Sequence, residues 1–243
     1  MLESNKTKGG QMRIGVKPGQ IGLSIDELRR SWAEAEDAGF ESIWTFDHLT
    51  GGLMYESVTL LAAMALEIKQ ARIGCLVLAN GTRKVETLAA QLATVDALSN
   101  GRLEVGIGAS SRFARLDFDA LDIPYGSWRQ RSLDLALAVE RLLELTGGVS
   151  PVASRPVQTP LPIIMGGGSE AVRQLAIQHG LAWNLSATSV EQFTRLKEGQ
   201  PNPQAQVFMR AVESVPETVA AFREAGATRL VFVLEPPIEP GDI

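Results

Sequence analysis

A (β/α)₈ barrel of the TIM type is the fold this sequence predicts, on three observations. Short β-type runs alternate with helical patterns from Met12 onward, eight such runs can be counted, and the third, Arg72 to Ala79, is apolar enough for a parallel sheet covered on both faces. The 243 residues suit one such domain, and with 45% hydrophobic and 21% charged residues the chain can bury a sizeable core.

The elements follow in order. Arg13 to Val16 reads as the first strand. Ser24 opens a helix with Glu27 in the capping-box position, Ile25, Leu28, Trp32 and Ala35 form its apolar face, and Gly39 ends it. Ser42 to Phe46 is the second strand and Ser57 to Ile68 the second helix. The third helix carries Val85, Leu88, Leu92, Val95 and Leu98 at helical steps, and Asn100-Gly101 stops it. Arg102 to Ile107 is strand four, Trp128 to Leu145 the longest helix, and Leu161 to Met165 strand five. Ser169 to His179, Leu181 to Leu185 and Val190 to Lys197 continue the alternation, followed by a strand over Gln206 to Ala211. A helix opens at Ser214 with Glu217 as its capping-box partner, and Arg229 to Leu234 is the eighth strand. Only nine residues follow it, and Pro236, Pro237 and Pro240 forbid a helix there, so the eighth helix is expected to be missing. A partner subunit is the natural cover for that wall. Met1 to Gln11 reads as a disordered leader or an expression remnant, leaving 12–243 as a single barrel domain.

Composition excludes several classes of function. The net charge of −5 and the absence of a Lys/Arg run argue against nucleic acid. The apolar stretches are too short to span a bilayer, and no export leader is visible, so a cytoplasmic protein is expected. One cysteine, Cys75, excludes an internal disulfide, and two histidines, His48 and His179, make a metal site improbable.

In such a barrel the chemistry sits at the C-terminal ends of the strands. Asp47-His48 closes strand two and can be a proton-transfer pair, or a capping carboxylate beside a half-buried histidine. Gly166-Gly167-Gly168-Ser169 joins strand five to a helix N-terminus, where amide groups and the dipole suit a phosphate; a tight turn would need only one glycine. Gly108-Ala109, ahead of Ser110-Ser111, leaves room for a flat ring or a moving loop. Trp183, before Asn184, is either packing or an aromatic wall. Cys75 reads as a small core residue.

These segments, in this order, resemble the luciferase-like monooxygenase family with its deazaflavin (coenzyme F420) and FMN enzymes. The matching stretches are Gly39-Phe40-Glu41-Ser42-Ile43-Trp44 into Asp47-His48, Ala71-Arg72-Ile73-Gly74, Leu98-Ser99-Asn100-Gly101-Arg102-Leu103, Gly106-Ile107-Gly108, Pro162-Ile163-Ile164-Met165-Gly166-Gly167 and Ala182-Trp183-Asn184. The resemblance implies a homodimeric oxidoreductase that moves a hydride between F420 or FMN and a small organic substrate. It implies that Gly166, Gly167, Gly168 and Ser169 hold the cofactor phosphate, and that Leu76-Val77, through a non-proline cis peptide, back the ring with Asn80 at the rim. His48 matches the base of some deazaflavin members, with Asp47 beside it. Two departures stand out: Ser110 replaces a common glycine, and Ser111 stands where some dehydrogenases carry a catalytic Glu. They motivate the alternative of a flavin-binding protein with little turnover.

Overall fold

A computed structural model describes residues 12–50, 54–152, 154–186 and 188–234. The elements are β1 (Arg13–Lys17), α1 (Ile25–Asp37), β2 (Ser42–Thr45), α2 (Ser57–Glu67), β3 (Arg72–Ala79), α3 (Val85–Leu98), β4 (Leu103–Gly108), α4 (Arg115–Ala120), α5 (Trp128–Gly147), β5 (Ile163–Gly166), α6 (Glu170–His179), β6 (Ala182–Leu185), α7 (Val190–Leu196), β7 (Pro203–Phe208), α8 (Val215–Glu224) and β8 (Arg229–Val233). Each strand pairs in parallel with the next, and β8 pairs with β1 to close an eight-stranded barrel. Two helices, α4 and α5, follow β4. The place where a helix would follow β8 falls in 235–243, outside the described residues, as does the leader over 1–11. Among the described residues no helix is long and apolar enough to cross a membrane.

Local signals explain most boundaries. On α1 the Ser24 side chain accepts from the Glu27 amide while Glu27 reaches back to the Ser24 amide, the reciprocal bonds of a capping box. Leu28, Trp32 and Ala35 are buried as its period demands, but Ile25, in the first turn, is 39% exposed. The capping box expected at Ser214 is not formed. Pro216 lies in the first turn of α8 and starts the helix with its preset φ, without a side-chain cap. Strand β7 begins earlier than its apolar run suggests, and Met209–Ala211 is a 3₁₀ turn instead. Gln204 and Gln206 are the cause: both are buried, so a strand that carries them does not read as apolar.

Two apolar groups divide the interior. The larger packs the outer face of the sheet against the helices. The smaller fills the barrel lumen with Trp44, Leu76, Ile164 and Val231, flanked by Val77 and Ala182. Glycines make that filling possible: a Cβ at Gly74 would sit 2.4 Å from the Trp44 ring, and one at Gly15 would sit 2.9 Å from its Nε1. Below Trp44, at the N-terminal end, Arg229 is wholly buried and forms bonds to Glu104, Glu41 and Gln204, with its guanidinium 5.2 Å from the Trp44 ring centroid. This floor closes the lumen and leaves the C-terminal mouth as the place for a site.

Candidate active site

Strand β2 delivers Asp47 and His48 to the mouth, but it sends them to different partners. Asp47 is buried, and its carboxylate is saturated. It accepts from Arg83 at 2.7 and 2.8 Å, from the Ser57 hydroxyl at 2.7 Å and from the Ala79 amide at 3.0 Å. Arg83 also meets Glu56, the N-cap of α2, so one guanidinium ties the β2 exit, the start of α2 and the end of β3. Burial works against the charge on Arg83, yet the Asp47 and Glu56 carboxylates outweigh it and push its pKa up. Asp47 therefore builds the rim and does not orient His48.

The carboxylate that meets His48 is Asp117 on α4. His48 Nδ1 lies 3.0 Å from Asp117 Oδ2, with the imidazole 31% exposed and the aspartate 1% exposed. Asp117 Oδ1 accepts from the amides of Leu49 and Thr50 at 2.9 and 2.8 Å and from the Thr50 hydroxyl at 2.6 Å. Burial raises the Asp117 pKa, but the Thr50 and His48 bonds outweigh it, and the carboxyl is held below its ordinary range. Phe46, next to Asp47, is held from β1 and the loop after it: its amide donates to Gln20 Oε1 at 2.7 Å, and Lys17 Nζ lies 5.5 Å from its ring centroid.

On β3 the Leu76–Val77 peptide is cis, at the point where the register with β4 shifts between Cys75 and Leu78. Lys17 Nζ donates to the Leu76 carbonyl at 3.0 Å. The Val77 side chain lies between two glycines, since a Cβ at Gly108 would fall 2.9 Å from Val77 Cγ2 and one at Gly166 only 2.3 Å from Cγ1. The glycines at those two positions thus accommodate Val77. Asn80 is tied to the next loop: its amide donates to the Gly108 carbonyl at 3.1 Å, and its carbonyl accepts from the Ser110 hydroxyl at 2.8 Å. Ser110 has φ +60, a conformation that glycine adopts most easily. Ala109 packs into the outer core, so its side chain belongs to the helix layer and does not face the mouth. Cys75 is fully buried, and burial pushes its thiol far up, leaving it inert.

The glycine run enters α6 as its sequence suggests. Gly167 has φ +131, which requires glycine, and a Cβ there would meet nothing closer than Val172 at 3.9 Å. Ser169 is the N-cap, accepting from the Val172 amide. The other early amides of α6 have no acceptor within the helix. Trp183 corrects the idea of an aromatic wall. It is 0% exposed, stacks on Phe193 at 6.0 Å and donates from Nε1 to the Gly167 carbonyl at 2.7 Å. It holds the loop from behind and cannot touch a ring at the mouth.

A model of the luciferase-like monooxygenase family matches residues 10–201. The chain belongs to that family. It is 25% identical over 231 residues to an F420-dependent glucose-6-phosphate dehydrogenase of Amycolatopsis mediterranei, covering 86% of this chain and 68% of that protein. It is also 25% identical over 175 residues to a 5,10-methylenetetrahydromethanopterin reductase of Archaeoglobus fulgidus, covering 68% of this chain but only half (50%) of the reductase. In fold it is similar to the coenzyme F420-dependent tetrahydromethanopterin reductase of Methanopyrus kandleri, with a TM-score of 0.74 and 16% identity over 96% of this chain and 95% of that one.

Within this luciferase-like barrel, three residues at the mouth carry no motif in the sequence. Arg83 and Asp117 are joined to Asp47 and His48 only by the fold. Lys17 was legible in principle: it follows Gly15 by two residues on a strand whose Gly15 position faces the lumen.

Proposed function

We propose that this chain is an oxidoreductase that binds coenzyme F420, or FMN in its place, at the barrel mouth and passes a hydride between that cofactor and a small organic substrate. The observation that carries the reading is the partly exposed His48 imidazole, held on the same rim as the Gly166–Ser169 loop. The cofactor's flavin-type ring supplies the redox chemistry when bound. The residues fit such a group. Gly167 brings bare backbone to the start of α6, where a Cβ would meet Val172 only at 3.9 Å. The Nε of Arg173, one turn into that helix, is buried with no partner among the described residues, while its other nitrogens meet Glu170 and the Leu196 carbonyl. Gly166, Gly167, Gly168 and Ser169 would hold the phosphate that both cofactors carry, with the unmet Nε–H of Arg173 as a further donor beside its ion pair with Glu170. Leu76, Val77 and Asn80 would back the ring. His48 would take a proton from the substrate or return one to it.

Two of the relatives named above are F420-dependent by name, which favours F420 as the cofactor to test first. Ser111, where some dehydrogenases carry an acid, favours a second reading in which the cofactor binds and little turnover follows. Titrating the purified protein with F420 and with FMN, followed by fluorescence quenching, separates these readings. Tight binding of one, with turnover that His48→Ala lowers by roughly 100-fold while cofactor affinity is kept, is the expected result. Failure to bind either cofactor overturns the reading, and binding without reduction of any acceptor selects the second.

A further inference from the structure

Which nitrogen of His48 is basic follows from the residue behind it. Asp117 is buried, and three donors besides His48 converge on its Oδ1. Together these bonds hold its carboxyl below the ordinary range in spite of burial, so it is ionised near neutral pH. An ionised carboxylate only accepts hydrogen bonds. The 3.0 Å contact at Oδ2 therefore places a proton on His48 Nδ1, and the neutral ring is left with its lone pair on Nε2. Among the described residues nothing bonds to Nε2.

We propose that Asp117 is the positioning residue of this site. It locks His48 in the Nδ1–H tautomer, presents Nε2 as the base and offsets the imidazolium charge that forms. The assignment rests on the reading of His48 as the proton-transfer group. In the step itself a substrate O–H bond breaks and an Nε2–H bond forms. The electron pair of the broken bond stays on the substrate oxygen, and Asp117 remains ionised. The fold supplies this carboxylate from α4, a helix inserted between β4 and α5, so the loop after β4 sets the protonation state of a side chain delivered by β2.

A merely structural Asp117 would hold residues 48–50 in place without governing the ring. Nitrogen-15 spectra of histidine-labelled protein distinguish the two roles. The chain has two histidines, and the His179→Gln variant assigns the spectrum. The expected result is Nδ1–H on His48 in the parent protein. In Asp117→Asn the side-chain amide can donate to Nδ1, and the ring should shift to Nε2–H, with kcat lower by roughly 10- to 100-fold and cofactor Kd changed by less than about twofold. Thr50→Val removes one donor to Oδ1 and should leave the tautomer unchanged. Nε2–H in the parent protein overturns the proposal, as does a tautomer that is the same in Asp117→Asn. If that variant does not fold, the parent spectrum still decides. An Nδ1–H ring together with a fully active His48→Ala would instead refute the proton-transfer reading while leaving the tautomer assignment standing.

Discussion

At the N-terminal end of the barrel Arg229 is wholly buried, and Glu104 and Glu41 both accept from its guanidinium. At the C-terminal end Asp117 is just as buried, yet the imidazole it holds keeps one nitrogen unmet. The same contrast extends to their neighbours. Arg72 turns from the rim of the floor to Glu104 and to Gln158. On the strands lining the lumen below the mouth, Asn184 Nδ2 and Gln206 Oε1 are buried without partners among the described residues, as are, away from it, His179 Nε2 and the Gln200 amide. A floor in which every buried charge has a partner can stay dry and closes the lumen. A mouth with unmet donors and acceptors is less stable by itself and can gain from a ligand. Ion pairs thus serve closure at one end and a prepared surface at the other.

The comparison can be broken most severely at the floor. Arg229→Met leaves Glu104 buried among fewer cations and should lower stability by about 3–5 kcal/mol in urea titrations. A loss below about 1 kcal/mol would mean that the floor is not structural. The pH dependence has a definite sign. Burial alone would raise the Glu104 pKa, but Arg229, Arg72 and Arg13 hold it below its ordinary 4.5. The stability it contributes is therefore present at neutral pH and is lost as pH falls from that value through the lower folded one. Arg229→Met should flatten this acid limb.

A smaller effect is expected where the lumen meets the mouth. Gly166→Ala would place a Cβ 2.3 Å from Val77 Cγ1 and should cost about 1–3 kcal/mol, with weaker cofactor binding. Unchanged melting and affinity would show that Val77 moves aside freely, and that the two ends are not packed alike. The smallest change is Trp183→Phe, which keeps the stacking on Phe193 and removes one bond to the Gly167 carbonyl. About 1 kcal/mol of stability and a few-fold loss of cofactor affinity should follow. Isothermal titration that finds the affinity intact would separate this loop from the phosphate site.

Much of the barrel was legible because its signals are local. The capping box of α1, the apolar run of β3 and the glycine at Gly167 each act within a few residues. What escaped was polar and inward-facing: β7, with Gln204 and Gln206 in its interior, and α4, whose Leu116 is exposed while Asp117 is buried. A hydrophobic pattern assigns such residues to the surface.

The site divides the same way. Asp47 and His48 could be placed at the mouth from their position after β2, and Gly166 to Ser169 from theirs before α6. Their roles could not be read from the chain. His48 meets a carboxylate 69 residues away, Asp47 an arginine 36 residues away, and Arg229 closes the floor on glutamates 125 and 188 residues earlier. Order, caps and turn chemistry follow from residues adjacent in sequence, because backbone hydrogen bonds and side-chain period act over one or two turns. Which acid faces which base depends on tertiary packing: strand pairing and the β4 loop bring Arg83 to Asp47 and Asp117 to His48, and barrel closure brings Arg229 to Glu41.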